Sequence, residues 1–193
     1  MIWEFFICAT AVLLHYERFA ELRQLLVHPY FLRTDYFNSN IEPQTFDIFR
    51  KYTRTIEEVC KPKSENSRLF TLAGEILVNR EKKPILTKQS IANADIVLYQ
   101  LNDIFDTSEN KRWSMWFPTT YIYHQGQQVL WKKLISKSYC KKIFPLFSVN
   151  TVDELKEKVQ GSVGNRDIRY NGSWHNAPGI LSSIKLDEIG TLE

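Results

Sequence analysis

The segment IANADIVLYQLNDIF, Ile91 to Phe105, constrains the fold more than any other stretch of the chain. Ile91, Ala94, Leu98, Leu101 and Phe105 recur at alternating steps of three and four residues. On a helix they form one apolar seam, which Val97 and Ile104 widen. The competing reading takes ADIVLYQL as the buried strand of a nucleotide-binding α/β sheet, with Asp95 or Asp103 at a strand end. Such a strand would run about twelve residues and carry Asn93, Asp95, Gln100 and Asn102, longer and more polar than a buried parallel strand tolerates. The periodicity therefore predicts a core helix, capped by Thr87 after Pro84, with Asp95 beside the seam and Asp103 facing solvent.

The same periodicity predicts further helices on either side. Phe6, Leu13, Tyr16, Phe19, Leu22 and Leu26 imply one helix from Ile2 to about Val27, stopped at His28-Pro29. A second begins near Gln44, with Phe46, Phe49, Tyr52, Ile56 and Val59 on one face. A third covers SRLFTLAGEILVNRE, with Leu69, Ala73, Ile76 and Leu77 inward and Ser67 or Asn66 as its cap. Beyond the seam, TTYIY has the β-branched and aromatic content of a short strand. A helix from Gln127 to Lys137 then carries Leu130, Trp131, Leu134 and Ile135 and stops near SKS. Thr151 and Glu154 form a T-x-x-E capping box ahead of a short helix with Leu155 and Val159 inward. The expected class is mainly α: a single domain of about six helices over residues 1–160, with one or two short strands near Pro118. Residues 161–193 hold five of the seven glycines and read as an irregular tail packed on the domain by Trp174, Ile180, Leu181 and Ile184.

Composition excludes several classes. With 44% hydrophobic, 24% charged and 13% aromatic residues in 193, the chain has the makings of one sizeable core. Cys8, Cys60 and Cys140 are odd in number and far apart, so no disulfide framework or zinc site is suggested. Cys8 reads as a core residue, while the lysines beside Cys60 and Cys140 are of the kind that lower a thiol pKa. The apolar run from Phe5 to Leu14 is about half the 20 residues of a membrane span, and it lacks the basic lead of a signal peptide. A chain opening in such a helix is expected to belong to something larger or to cover that helix with a partner. No G-x-x-x-x-G-K-[ST], G-x-G-x-x-G or G-x-S-x-G occurs. His15, His28, His124 and His175 show no metal-binding spacing, so no cofactor or metal is implied.

Charge is unevenly spread. Between Lys111 and Val152 stand Lys111, Arg112, Lys132, Lys133, Lys137, Lys141 and Lys142, and no Asp or Glu. That segment carries +7 and the remainder −4, within a whole-chain charge of +3. Such a face attracts anions, and Trp113 and Trp116, with Tyr121, Tyr123, Trp131 and Tyr139, are candidate platforms for stacking bases. The plainer account of the same letters is a solvated lysine face over core aromatics. The sequence thus reads as a cytoplasmic binding or regulatory module, the C-terminal part of a larger protein included, for an anionic partner such as nucleic acid or an acidic protein surface. Two alternatives stand beside it. One is an enzyme of unknown class in which His124 and His175 do acid–base work with Tyr121, Asp167 and an anion-holding Arg169. The other is a homo-oligomer that buries the N-terminal helix.

Overall fold

In a computed structural model the protein is a single, mainly helical domain. The structure describes residues 2–31, 43, 45–50, 71–80, 82–105, 116–125, 128–162, 166–170 and 173–193. Seven α-helices are described: α1 (Ile2–His15), α2 (Phe19–Val27), α3 (Leu72–Asn79), α4 (Lys88–Phe105), α5 (Val129–Lys132), α6 (Lys137–Phe147) and α7 (Val152–Gln160). Single 3-10 turns at Phe46–Arg50, Tyr121–Tyr123, Lys133–Ile135, Ile180–Ser182 and Leu186–Glu188 link or follow them.

The seam helix is α4, and it lies at the centre. Thr87 and Ser90 exchange hydrogen bonds at its start, backbone N of each to the hydroxyl of the other (2.9 and 3.1 Å), so the two together satisfy one end of the helix. Helix α1 packs along α4, and α2 along α6. Ile91, Ala94, Leu98 and Leu101 are buried as the spacing requires, and so are Ala92, Ile96 and Tyr99 around the rest of the helix. Each large aliphatic side chain buried here contributes about 1.5–3 kcal/mol. An aromatic cluster caps one side of this core: Phe6 and Phe46 stack at 5.8 Å, and Trp116 lies 6.1 and 5.7 Å from the two rings.

Several expected boundaries moved. The first helix is two, because Glu17 takes a left-handed conformation (φ 51) that breaks the hydrogen-bond ladder between α1 and α2. Tyr16, placed on the inward face by a continuous helix, is instead exposed. Of the span expected for the second helix, the described residues include the 3-10 turn Phe46–Arg50, while Tyr52, Ile56 and Val59 lie outside them. The third is shorter, and its cap is Thr71, whose hydroxyl accepts from Gly74 N, rather than Ser67 or Asn66. TTYIY is a turn, not a strand: Tyr121–Tyr123 form a 3-10 helix following Thr119 and Thr120. The helix expected to stop near SKS does so, and Ser136 caps its successor. At α7, Thr151 accepts from Glu154 N (3.2 Å), as a capping box requires, while the Glu154 carboxylate reaches Asn150 N.

The C-terminal tail is more regular than its glycines suggest. Strands β1 (Arg166–Tyr170) and β2 (Ser173–Ala177) pair antiparallel, with Ile168 opposite His175 and Arg169 opposite Trp174. The intervening Asn171-Gly172 is the strongest short hairpin signal in the chain. Past the hairpin the tail packs on the domain. Ile180, Ile184 and Ile189 are buried, and Gly190 N and Leu192 N donate to Leu134 O and Ile135 O at 2.8 and 2.9 Å. No described helix is long and apolar enough to cross a membrane.

Candidate anion-binding face

The break at Ser136 sets the lysines. Helix α5 and its 3-10 extension bury Trp131 and Leu134, and α6 buries Tyr139, Cys140, Ile143, Leu146 and Phe147. Amphipathic spacing then leaves Lys132, Lys133, Lys137, Lys141 and Lys142 exposed. Lys111 and Arg112, and with them Trp113, lie outside the described residues.

Two carboxylates from distant parts of the chain approach this face. Glu17, at the α1–α2 break, lies 3.1 Å from both Lys133 Nζ and Lys142 Nζ, and these lysines hold its carboxyl below the usual range. Glu193 pairs with Lys137, which lowers its pKa too. Such exposed pairs, screened by solvent, contribute little to the stability of the fold.

Three of the candidate stacking platforms, Trp116, Trp131 and Tyr139, are buried. Trp116 is fully buried and donates its indole N–H to Asp95 Oδ1 at 2.7 Å. Trp131 is fully buried too, donating to Gln100 Oε1 at 2.6 Å. Tyr139 is 7% exposed, with Lys133 Nζ 5.1 Å from its ring centre. The two tryptophans face inward, where α4 offers them hydrogen-bond partners. Asp95, read from the spacing as flanking the seam, is wholly buried and is the most heavily bonded of these partners. It accepts from Thr120 N and Thr120 Oγ1, both at 2.7 Å, besides Trp116. Burial pushes its carboxyl up to about 6, with the three hydrogen bonds opposing. The Asp103 side chain lies outside the described residues.

The acid–base candidates come from different elements of the chain. His124, half-buried after the 3-10 turn, shares a 2.9 Å hydrogen bond with Gln89 Oε1, and Gln89 Nε2 donates to Asn93 Oδ1 at 2.8 Å. That chain orients the ring by an amide, not a carboxylate. Asp167, Arg169 and His175 are hairpin residues, on β1 and β2. Tyr121 is half-buried, and burial raises its pKa. Burial also raises the Cys140 thiol, against the lowering expected from its lysine neighbours, and its Sγ donates to Leu134 O. No cluster of three or more His, Cys, Asp or Glu able to hold a metal occurs among the described residues.

Beside the lysine face lies a cavity of about 170 Å³, open to solvent, between α1, α4, α5 and the start of α6. Ala11, Val97 and Leu130 line it with apolar groups, and His15, Asn93 and Lys133 with polar ones. Gln128 and Tyr139 also line it, and both Gln128 Nε2 and the Tyr139 hydroxyl are buried without a hydrogen-bond partner among the described residues. Leaving such a group unpaired costs about 1–3 kcal/mol. No signal for this cavity stood in the sequence, because its walls come from four separate segments.

No family model, curated protein or solved structure matches the chain.

Proposed function

We propose that the protein is a binding or regulatory module that engages an anionic partner, the phosphate backbone of single-stranded nucleic acid, through the lysines of α5 and α6. The observation that carries this reading is the exposure of Lys132, Lys133, Lys137, Lys141 and Lys142 on two consecutive helical segments that contain no acidic residue. Lysines act as point charges toward phosphate, which suits contact without base readout. With Trp116 and Trp131 buried, electrostatics rather than stacking supplies the affinity. Fluorescence anisotropy of a labelled oligothymidylate tests it: binding at about 50 mM salt should fall linearly on a log–log plot toward 200 mM. Absence of binding at low salt leaves an acidic protein partner or a purely structural role.

The enzyme alternative draws its candidates from separate elements, His124 and Tyr121 at the 3-10 turn and Asp167, Arg169 and His175 on the hairpin, and His124 is engaged by Gln89. The oligomer alternative has one specific observation in its favour. Ile2 and Phe5 on α1 are 59% and 70% exposed, large apolar groups that a second copy could cover. Solution mass by light scattering checks it, a monomer counting against.

A further inference from the structure

Helix α1 is apolar on two faces, and the domain buries one of them. Trp3, Phe6, Ile7, Thr10 and Ala11 are buried on the face that packs along α4. On the other side Ile2, Phe5, Ala9, Val12 and Tyr16 recur at steps of three, four, three and four, which makes a second strip along the same helix. Tyr16 follows the last helical residue, but its backbone N still donates to Val12 O at 3.1 Å, so it continues the strip. Ile2, Phe5 and Tyr16 are 59%, 70% and 59% exposed, and Ala9 and Val12 are half-buried. Glu4, the one Asp, Glu, Lys or Arg of α1, is turned aside to Arg80 at 2.6 Å, so the strip carries no charge.

A helix that is hydrophobic all round is ordinarily buried all round. A whole aromatic side chain offers about 150–250 Å², so Ile2, Phe5 and Tyr16 together leave on the order of 400 Å² of largely apolar surface in water. Two such strips face to face, with Ala9 and Val12 included, remove on the order of 1,000 Å², the lower limit for a specific interface. The order of the side chains fits a second copy. Laid antiparallel, Phe5 meets Tyr16 of the second copy and Ala9 meets its Val12, and the two-fold axis repeats both layers. The small residues then fall together at the centre, where they let the helices approach, and an aromatic pair closes each end. The antiparallel arrangement also sets the positive end of one helix dipole beside the negative end of the other.

We propose that the exposed strip of α1 is an antiparallel dimer interface with a second copy of this chain. The inference rests on the oligomer reading and gives it a surface and a register. The contact is small, so the dimer is weak, with a Kd on the order of 100 µM, and forms and dissolves with concentration. Lys132, Lys133, Lys137, Lys141 and Lys142 lie on other helical segments and take no part in the strip.

Sedimentation velocity of the full chain from about 10 to 500 µM tests this, and the average mass should rise from that of a monomer toward that of a dimer. Phe5→Glu and Tyr16→Lys alter exposed side chains, so each should leave the melting temperature within about 2 °C of the parent. Each variant alone should stay monomeric over the whole range. Mixed in equal amounts, the two should dimerise again, because the antiparallel register sets the new carboxylate against the new ammonium and keeps one Phe5–Tyr16 layer whole. A parallel pair, which sets like positions together, gives no such rescue. A parent that stays monomeric at about 500 µM overturns the oligomer reading and this interface with it. A parent that dimerises while both variants dimerise equally well keeps the oligomer and overturns the strip as its surface. A mixture that stays monomeric while the parent dimerises overturns the antiparallel register. Each readout is independent of nucleic-acid binding, so failure of the oligothymidylate experiment leaves this one intact.

Discussion

Trp116 gives its indole N–H to the Asp95 carboxylate at 2.7 Å across 21 residues of chain, and neither side chain is reached by solvent. One turn of helix and more away, Asn102 Oδ1 accepts from the Trp116 backbone N at 2.6 Å. Asp95 and Asn102 are seven residues apart and so share a face of α4, from which they hold Trp116 and Thr120. Gln100 does the same for other elements, accepting from Trp131 and donating to Pro178 O at 2.7 Å. The polar residues that argued against a strand are thus the attachment points of a buried helix. A polar group so buried is tolerated because it is paired.

That pairing has a pH signature. The Asp95 pKa in the fold, about 6, lies above the ordinary aspartate value of 3.8, so the folded state binds the proton more tightly. Its contribution to stability is full below pH 3.8 and is lost as pH rises through about 6, a change of about 3 kcal/mol for a shift of this size. Asp95→Asn removes the titration but turns an amide donor toward Trp116 or Thr120, and should destabilise the fold by about 1–3 kcal/mol at neutral pH. Urea midpoints from pH 4 to 7 compare the two proteins: the difference between them should narrow as pH rises, and a constant difference would count against the assignment.

The same segment is held from its other side by close backbone contact. A Cβ on Gly74 of α3 would lie 2.4 Å from the Thr119 carbonyl oxygen and 2.9 Å from its carbon. Backbone cannot step aside as a flexible side chain can. Gly74→Ala, which on helix propensity alone should stabilise, is expected to destabilise by about 1–3 kcal/mol. Thermal denaturation by circular dichroism measures it, and a raised midpoint would show that the contact yields.

How far the sequence foretells this molecule depends on the distance over which each feature is decided. The α4 seam, the Thr87 and Thr151 caps and the stop before α6 are written within a few residues and emerge from spacing alone. The left-handed Glu17 is not, because no glycine or proline marks it and its carboxylate is engaged by lysines 116 and 125 residues away. Trp116 looked like a stacking platform because its partner, Asp95, lies on another element. The lysine face was legible as charge. Its pairing with Glu17 and Glu193, and the cavity beside it, arise only when separate segments meet.

If the lysine face contacts phosphates, each lysine contributes a separable share of the salt dependence. Lys132→Gln and Lys141→Gln alter exposed side chains and should move stability by less than about 0.5 kcal/mol. Each should weaken oligothymidylate binding uniformly across base compositions and reduce the log–log salt slope by about 0.7. Anisotropy titrations at four salt concentrations give the slopes; an unchanged slope in both variants would place the contact elsewhere.

Glu17 should oppose that binding. Its carboxylate lies 3.1 Å from Lys133 Nζ and from Lys142 Nζ, so an incoming phosphate must compete for both ammonium groups. Glu17→Gln keeps the side-chain length and leaves the left-handed backbone as it is, but removes the competing charge and raises the formal net charge from +3 to +4. The lost exposed pairs cost the fold less than about 1 kcal/mol in total, while oligothymidylate affinity at low salt should rise about two- to fivefold. The gain should shrink as added salt screens the same charges, because a Debye length of about 8 Å at 0.15 M still spans the 3.1 Å contacts but weakens their approach to solvent-exposed phosphate. Equal affinity of the variant and the parent at every salt concentration would exclude Lys133 and Lys142 from the contact and confine it to Lys132, Lys137 and Lys141.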